Sequence, residues 1–226
     1  MTTETNGRVP TWVKLAYSAF VVFLVPFYWV TYSPWNFLYF CDLALLITGV
    51  AIWIESSLLV SMQAVAITAP QMLWVLDLLC RLVVGVHVTG VTSYMLDSSI
   101  PLFLRGLSLF HGWLPFFLLW LLSRLGYDPR ALVRQAVVAI IVLFISYSFA
   151  PAPPPSASHP HWAVNINYVY GLDDAHPQTR MAPHLWVLFL MAFNVIALYV
   201  PTHLVLRRVF DPPPSAEVKR SRTAPG

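Results

Sequence analysis

Long apolar stretches dominate the chain, and polar positions gather in the short breaks between them. A helix needs ~20 mainly apolar residues to cross a ~30 Å hydrocarbon core. Six runs reach about that length: residues 12–32, 36–55, 57–79, 103–123, 131–150 and 184–206. The fold class this pattern predicts is all-α, a polytopic membrane protein of six transmembrane helices. Trp12, Trp29, Tyr32 and Trp35 flank the first hairpin at the depth where aromatic belts meet lipid headgroups.

One stretch does not fit the pattern. Arg81 to Ile100 is apolar but broken by His87, Thr89, Gly90, Thr92 and Ser93. A seventh span, a re-entrant piece and an interfacial stretch are its three readings, and positive charge arbitrates among topologies. With six spans and the N-terminus inside, Arg8, Lys14, Arg124, Arg130, Arg134, Arg207, Arg208, Lys219, Arg220 and Arg222 are all cytoplasmic, and only Arg81, Arg105 and Arg180 are not. A seventh span would move Arg124, Arg130, Arg134 and the basic tail outside, against the positive-inside rule. The expected organisation is therefore a cytoplasmic N-terminus (1–11), a membrane domain (12–206) and a basic, disordered cytoplasmic tail (207–226). The expected location is the plasma (inner) membrane, multi-pass, with an uncleaved first span, since no small-residue cleavage site follows a short apolar core.

Residues 151–183 change character. Pro151, Pro153, Pro154 and Pro155 open a stiff extended run, and His159, His161, Trp162, Asn165, Asn167, Tyr168, Tyr170 and Gly171 follow. A plain linker would be small and polar. This content predicts an ordered extracytoplasmic loop between the fifth and sixth spans.

Composition agrees with lipid as part of the solvent: 58% of residues are hydrophobic and 10% charged, against roughly a quarter charged in a soluble domain. Mean hydropathy is +0.68. The net charge of +3 comes from chain ends and short loops, which suits anionic headgroups. No nucleic-acid patch is visible, no cofactor is expected, and two cysteines are too few for a disulfide framework, though one bridge between Cys41 and Cys80 would fit.

Ionisable groups inside spans are costly and are functional candidates by default. In the six-span topology they gather at one depth. Cys41 and Asp42 lie ~8 Å into the second span, at 1.5 Å per residue. Asp77 ends the third span with Arg81 just beyond, and the fourth brings Arg105 and then His111. Asn165, Asn167 and Tyr168 in the loop cover the same side. Such a set suits acyl transfer or lipid hydrolysis. Cys41 would be a nucleophile, His111 its base, Asp42 or Asp77 an orienting carboxylate, and Asn165, Asn167 or Arg105 an oxyanion or phosphate holder, with Asp77, Arg81 and Tyr168 also candidates to bind substrate. Each has a plainer role: Cys41 as core packing, His111 as an interhelical hydrogen bond, Asp77 and Arg81 as an i,i+4 ion pair, and Asp97 with Arg105 as a loop tie.

The residues also resemble a family. Phe37-Leu38-Tyr39-Phe40-Cys41-Asp42-Leu43-Ala44 is similar to the Leu-Cys-Asp-Leu-Ala segment of YwaF-like integral membrane proteins. Ser108-Leu109-Phe110-His111-Gly112 resembles their Ser-His-Gly, and Asn165-Ile166-Asn167-Tyr168-Val169-Tyr170-Gly171-Leu172 their Asn-Tyr-Gly-Tyr-Leu, with Trp186 placed as in their final helix. The resemblance implies a six-helix fold distantly shared with cysteine/histidine ether-phospholipid acyltransferases and androgen-induced lipid hydrolases. It makes Cys41 the nucleophile and His111 the base. The acyltransferase branch has histidine where this chain has Asp42.

Two other readings stand beside a lipid enzyme. The aromatic loop 151–183 suits docking of a protein partner by a non-enzymatic membrane subunit. His159, His161 and His176, with His184 and Asp174 nearby, form a weaker metal-site alternative. A transporter is not indicated, because no repeat is evident and the polar residues cluster at one face.

Overall fold

The computed structural model describes residues 8–213. The helices are α1 (Thr11–Tyr32), α2 (Phe40–Trp53), α3 (Ser57–Val84), α4 (Leu102–Leu107), α5 (Phe110–Leu125), α6 (Ala131–Phe149), α7 (Pro183–Phe193) and α8 (Val200–Val209). Short 3₁₀ turns at Pro34–Leu38, Ser93–Leu96 and Ile166–Tyr168 link them, and no strand occurs among the described residues. Five stretches are long and apolar enough to cross a membrane: Thr11–Tyr32, Ser57–Val84, Leu102–Leu125, Ala131–Phe149 and Pro183–Val209. The architecture is that of an all-α, multi-pass membrane protein. The expected second span is the exception in length. Its helix, Phe40–Trp53, has 14 residues, a rise of ~21 Å at 1.5 Å per residue, and the Pro34–Leu38 turn takes up the preceding chain.

Breaks in the helices have local causes. The fourth apolar run turns at Ser108–Leu109, dividing α4 from α5. The last run stays helical through a widened π turn at Asn194–Tyr199, just before Pro201. Proline withholds an N–H from the ladder, and a π turn accommodates such a defect. Asn194 Nδ2 also donates to the Leu190 carbonyl at 2.8 Å.

α3 is the central helix, packing against α2, α5, α6 and α8. Ser56 starts it by accepting from the Leu59 N–H at 3.3 Å, and Gly85, at φ +80°, ends it in the left-handed conformation that favours glycine. Phe110, Leu114, Leu118, Leu121 and Leu125 of α5 are wholly buried at spacings of three and four, a continuous stripe on one helix face. Small residues on α3, Ala64 and Ala66, belong to the same core, as lipid-immersed helices need for close approach. Large apolar side chains such as Val22, Val30, Leu82, Val137, Phe144, Leu188 and Ile196 point outward. In water they would be a liability; in lipid they are ordinary.

The helix ends sort into two poles. At one, Glu55 accepts from Lys14 Nζ at 2.8 Å and from the N–H groups of Arg8 and Val9, tying the start of α1 to the α2–α3 turn. Asp128, in the α5–α6 turn, pairs with Arg130 at 2.6 Å, and its N–H donates to Ser61 Oγ. The Tyr127 N–H reaches the Asp211 carbonyl at 2.8 Å, bringing the end of α8 to the same pole. Arg124, Arg134, Arg207 and Arg208 also belong here by their positions on α5, α6 and α8. The expected tail residues Lys219, Arg220 and Arg222 lie outside the described residues.

The opposite pole is capped by loops. Residues 85–101 hold no helix beyond one 3₁₀ turn and fold back on the end of α3, so they form neither a further span nor a long interfacial helix. Loop 150–182 lies across the start of α2. The Ala163 N–H donates to the Tyr32 carbonyl at 2.8 Å, and Tyr39 Oη to the Val164 carbonyl at 3.0 Å.

Candidate functional site at the loop-covered pole

The first turn of α2 has no capping side chain of its own. Asn167 supplies one from the loop: Oδ1 accepts from the Phe40 N–H at 3.0 Å, and Nδ2 donates to the Leu38 carbonyl at 2.8 Å. Asn165 shapes the loop by accepting from the Tyr170 N–H and donating to the Gly171 carbonyl and to Asp174. Asn165, Asn167 and Tyr168 have φ of 51°, 54° and 64°, a left-handed geometry that asparagine tolerates better than most residues. Tyr168 is exposed, and its carbonyl accepts from Trp186 Nε1 at 2.8 Å. Asn165 and Asn167, expected as oxyanion holders, thus spend their amides on the loop and its seat.

Cys41 and Asp42 follow directly inside that capped turn. The Cys41 thiol lies 3.5 Å from Asp42 Oδ2 and donates to it. Asp42 is buried, and its Oδ1 has no hydrogen-bond partner. The Asn36 amide nitrogen, also unpartnered, is its near neighbour. A carboxylate in a helix's first turn is favoured by the macrodipole, but an open oxygen away from water is a cost that structure alone does not explain. Cys41 and Cys80 are both free thiols, so the bridge that the cysteine count allowed is not formed.

His111 approaches from the break between α4 and α5. Its Nδ1 is 2.8 Å from the Ser108 carbonyl. A carbonyl only accepts, so Nδ1 carries the proton and Nε2 is left with its lone pair. The ring stacks on Trp74 at 5.5 Å between centroids. Trp74 Nε1 donates to Tyr94 Oη at 3.2 Å, and Ser108 Oγ bonds Tyr28 Oη at 2.9 Å. Tyr94 lies within electrostatic reach of both Cys41 and Asp42, and Tyr28 within reach of Asp42; burial pushes the Tyr94 phenol up. Tyr28 and Trp74 thus hold Ser108 and His111, and Trp74 carries the contact on to Tyr94. No hydrogen bond joins Cys41 to His111; the thiol hydrogen goes to Asp42 instead. In the sequence Tyr28, Trp74 and Tyr94 resemble other belt and core aromatics. Ser108, three residues before His111, was the one available signal.

The expected Asp77–Arg81 ion pair is replaced by a different arrangement. Asp77 is fully buried and accepts from the N–H groups of Thr89 (2.6 Å), Gly90 (3.0 Å) and Thr92 (3.1 Å), from the Thr92 hydroxyl and from His87 Nδ1 (3.0 Å). Those donors satisfy the carboxylate better than one guanidinium would, and the loop closes over it. Arg81 turns to the Gly85 carbonyl, and Arg105 to the Met95 carbonyl at 3.1 Å. Each guanidinium keeps a buried Nε–H without a partner. Asp97 accepts from the Ser99 N–H at 2.8 Å rather than pairing with Arg105, and the bond from Ser99, helped by the more distant Arg105 charge, holds its carboxyl below the usual range.

The loop histidines stay apart. His159 stacks on Trp162 at 3.9 Å and bonds Ser158, while His176 is 3.4 Å from Asp173. Among the described residues no group of three or more His, Cys, Asp or Glu side chains is arranged to hold a metal. Compared with family models, curated proteins and solved structures, the chain finds no match.

Proposed function

We propose that this is a six-span protein of the plasma membrane, with both termini cytoplasmic, whose loop-covered pole acts on lipid acyl groups by transfer or hydrolysis. The observation that carries the reading is that one pole holds both the Cys41–Asp42 pair at the start of α2 and the Ser108–His111 pair at the α4–α5 break, the latter held by Tyr28 and Trp74. The gathering of Arg8, Lys14, Arg124, Arg130 and Arg134 at the opposite pole supports the orientation. The short resemblance to YwaF-like proteins falls on the same cysteine and histidine.

In this reading Asp42 takes the thiol proton as Cys41 Sγ attacks the acyl carbonyl carbon, and returns it to the departing lipid alkoxide, leaving a thioester on Cys41. A water or acceptor alcohol then attacks the thioester, losing its proton to His111 Nε2. The thiolate leaves and regains that proton. Arg81 and Arg105, with their open Nε–H groups, suit the lipid phosphate. The test is turnover of phospholipids with labelled acyl chains by the purified chain in vesicles. The reading requires Cys41→Ala and His111→Ala each to lower turnover by 10²-fold or more, the scale of one lost nucleophile or base. Unchanged turnover in either variant rejects it.

A second reading has its own observation. Trp162, Leu172 and Met181 are exposed on a loop that its hydrogen bonds hold in one conformation. Such a surface suits a protein partner, in which case the protein is a membrane subunit of an envelope assembly. Affinity capture with Trp162→Ala and Leu172→Asp variants tests it, and retention of every captured protein counts against it.

A further inference from the structure

Two concavities lie away from the Cys41 site, and they differ in charge. One, about 430 Å³ between α3, α5 and α8, is lined by Thr68, Leu119, Pro201 and Val205 among others and contains no charged residue. The other, about 640 Å³, opens between α1 and α5 toward the basic pole. Ala16, Phe20, Trp113, Phe117 and Trp120 line it, and Trp12 and Arg124 lie at its end toward the basic pole. The wall is a continuous aromatic array. Phe20 meets Trp113 edge-on at 5.3 Å, Phe117 stacks on Trp120 at 5.6 Å, and the Arg124 guanidinium lies 5.4 Å above the Trp120 ring.

Length and charge both specify an occupant. From Phe20 back to Pro10, and from Trp113 on to Arg124, each helix rises ~15 Å, the depth of one bilayer leaflet. A fatty acyl chain of that leaflet fits such a channel. At the mouth the acids are already committed: Glu55 to Lys14, and Asp128 to Arg130. Arg124 makes no ion pair with any described residue. A cation fixed on an aromatic face, at headgroup depth and above an acyl-sized channel, calls for a lipid phosphate that keeps its negative charge.

We propose that the α1–α5 groove binds an anionic phospholipid of the leaflet at the basic pole, with an acyl chain along the aromatic wall and the headgroup phosphate at Arg124. The site is separate from the candidate catalytic pole and stands without it. Native mass spectrometry of the full chain, extracted from vesicles with equal phosphatidylglycerol and phosphatidylcholine, tests the proposal. Retained phosphatidylglycerol should exceed phosphatidylcholine about fivefold, equivalent to ~1 kcal/mol. Arg124→Gln should bring the ratio close to one, Arg124→Lys should restore it, and Ala16→Leu, which adds bulk to the groove lining, should lower retention of both lipids. A wild-type ratio of one, a preference that survives Arg124→Gln, or full retention in Ala16→Leu overturns it.

Discussion

Asn167 donates from Nδ2 to the carbonyl of Leu38 at 2.8 Å, and with Oδ1 it caps the neighbouring Phe40 N–H, so a residue of the last loop holds the first turn of α2. Helix ends buried without partners are costly. Here the partner arrives from 127 residues away in sequence, and Cys41 and Asp42 follow immediately after it. The loop is therefore part of the site's foundation, whatever else its surface does.

Replacing Asn167 by alanine leaves one carbonyl and one N–H unpaired at a partly buried place, at a cost of about 2 kcal/mol. Amide hydrogen exchange at Phe40 should accelerate by roughly 30-fold, as that cost implies. Exchange as slow as in the unaltered chain would show that α2 caps itself.

Asp77 should be among the residues least tolerant of change. Asp77→Ala leaves the donors of Thr89, Gly90 and Thr92 without an acceptor and removes the anchor of the 85–101 loop. Hydrogen bonds to a charged group contribute ~1.5–3 kcal/mol each, so the variant should lose several kcal/mol and be cut by protease between Gly85 and Ile100 in intact vesicles. Arg81→Ala should have little effect on the same cleavage, because Arg81 does not pair with Asp77. Equal sensitivity in the two variants would restore the ion pair expected from their spacing.

The contrast between those two residues shows where sequence reading stops. Apolar runs of membrane-crossing length, the odd character of 81–100 and the aromatic loop are all patterns of residue type, and all are visible in the chain. Asp77 is held mainly by backbone N–H groups, which every residue but proline carries, so its partners leave no trace in composition. Spacing offered Arg81 instead, and the glycine and threonine content of residues 85–92 was the only hint of a turn that aims N–H groups inward. The length of α2 was likewise hidden, since residues 36–55 are apolar whether they form one helix or a 3₁₀ turn and a shorter one. Cys41 and His111 stand out by chemistry; that the thiol turns to Asp42 while His111 stacks on Trp74 depends on side-chain packing that no spacing rule encodes.

Gly126 sits at φ +82°, and a β-carbon there would lie 2.8 Å from the backbone of Pro213. Gly126→Ala combines left-handed strain of ~1 kcal/mol with that clash. It should push the Asp211–Pro213 segment off the α5–α6 turn and break the bond from the Tyr127 N–H to the Asp211 carbonyl. Faster exchange of the Tyr127 amide, with the loop-covered pole unaffected, is the expected outcome.

At the basic pole, burial raises the Glu55 carboxyl, but the Lys14 ammonium and the N–H groups of Arg8 and Val9 outweigh it and hold the group below its usual range. A folded pKa below the unfolded one means the contribution is complete above the unfolded value, about 4.3, and is lost as pH falls through the lowered folded value. The melting temperature should therefore fall on acidification below about pH 4.3. Glu55→Gln should melt lower at neutral pH and depend less on pH across that acid window. Identical acid profiles in the two proteins would remove Glu55 from the account.

The most direct test of the central claim is labelling of Cys41 by a membrane-impermeant thiol reagent in intact, oriented vesicles. It uses a Cys80→Ser background, with and without Asp42→Asn and His111→Ala. The site predicts labelling from the loop-covered face alone, at a rate that rises about tenfold in Asp42→Asn, because the carboxylate beside the thiol disfavours the thiolate by ~1.4 kcal/mol, and that falls in His111→Ala. Labelling confined to the basic face, or a rate indifferent to both Asp42 and His111, would contradict it and leave Cys41 a packing residue.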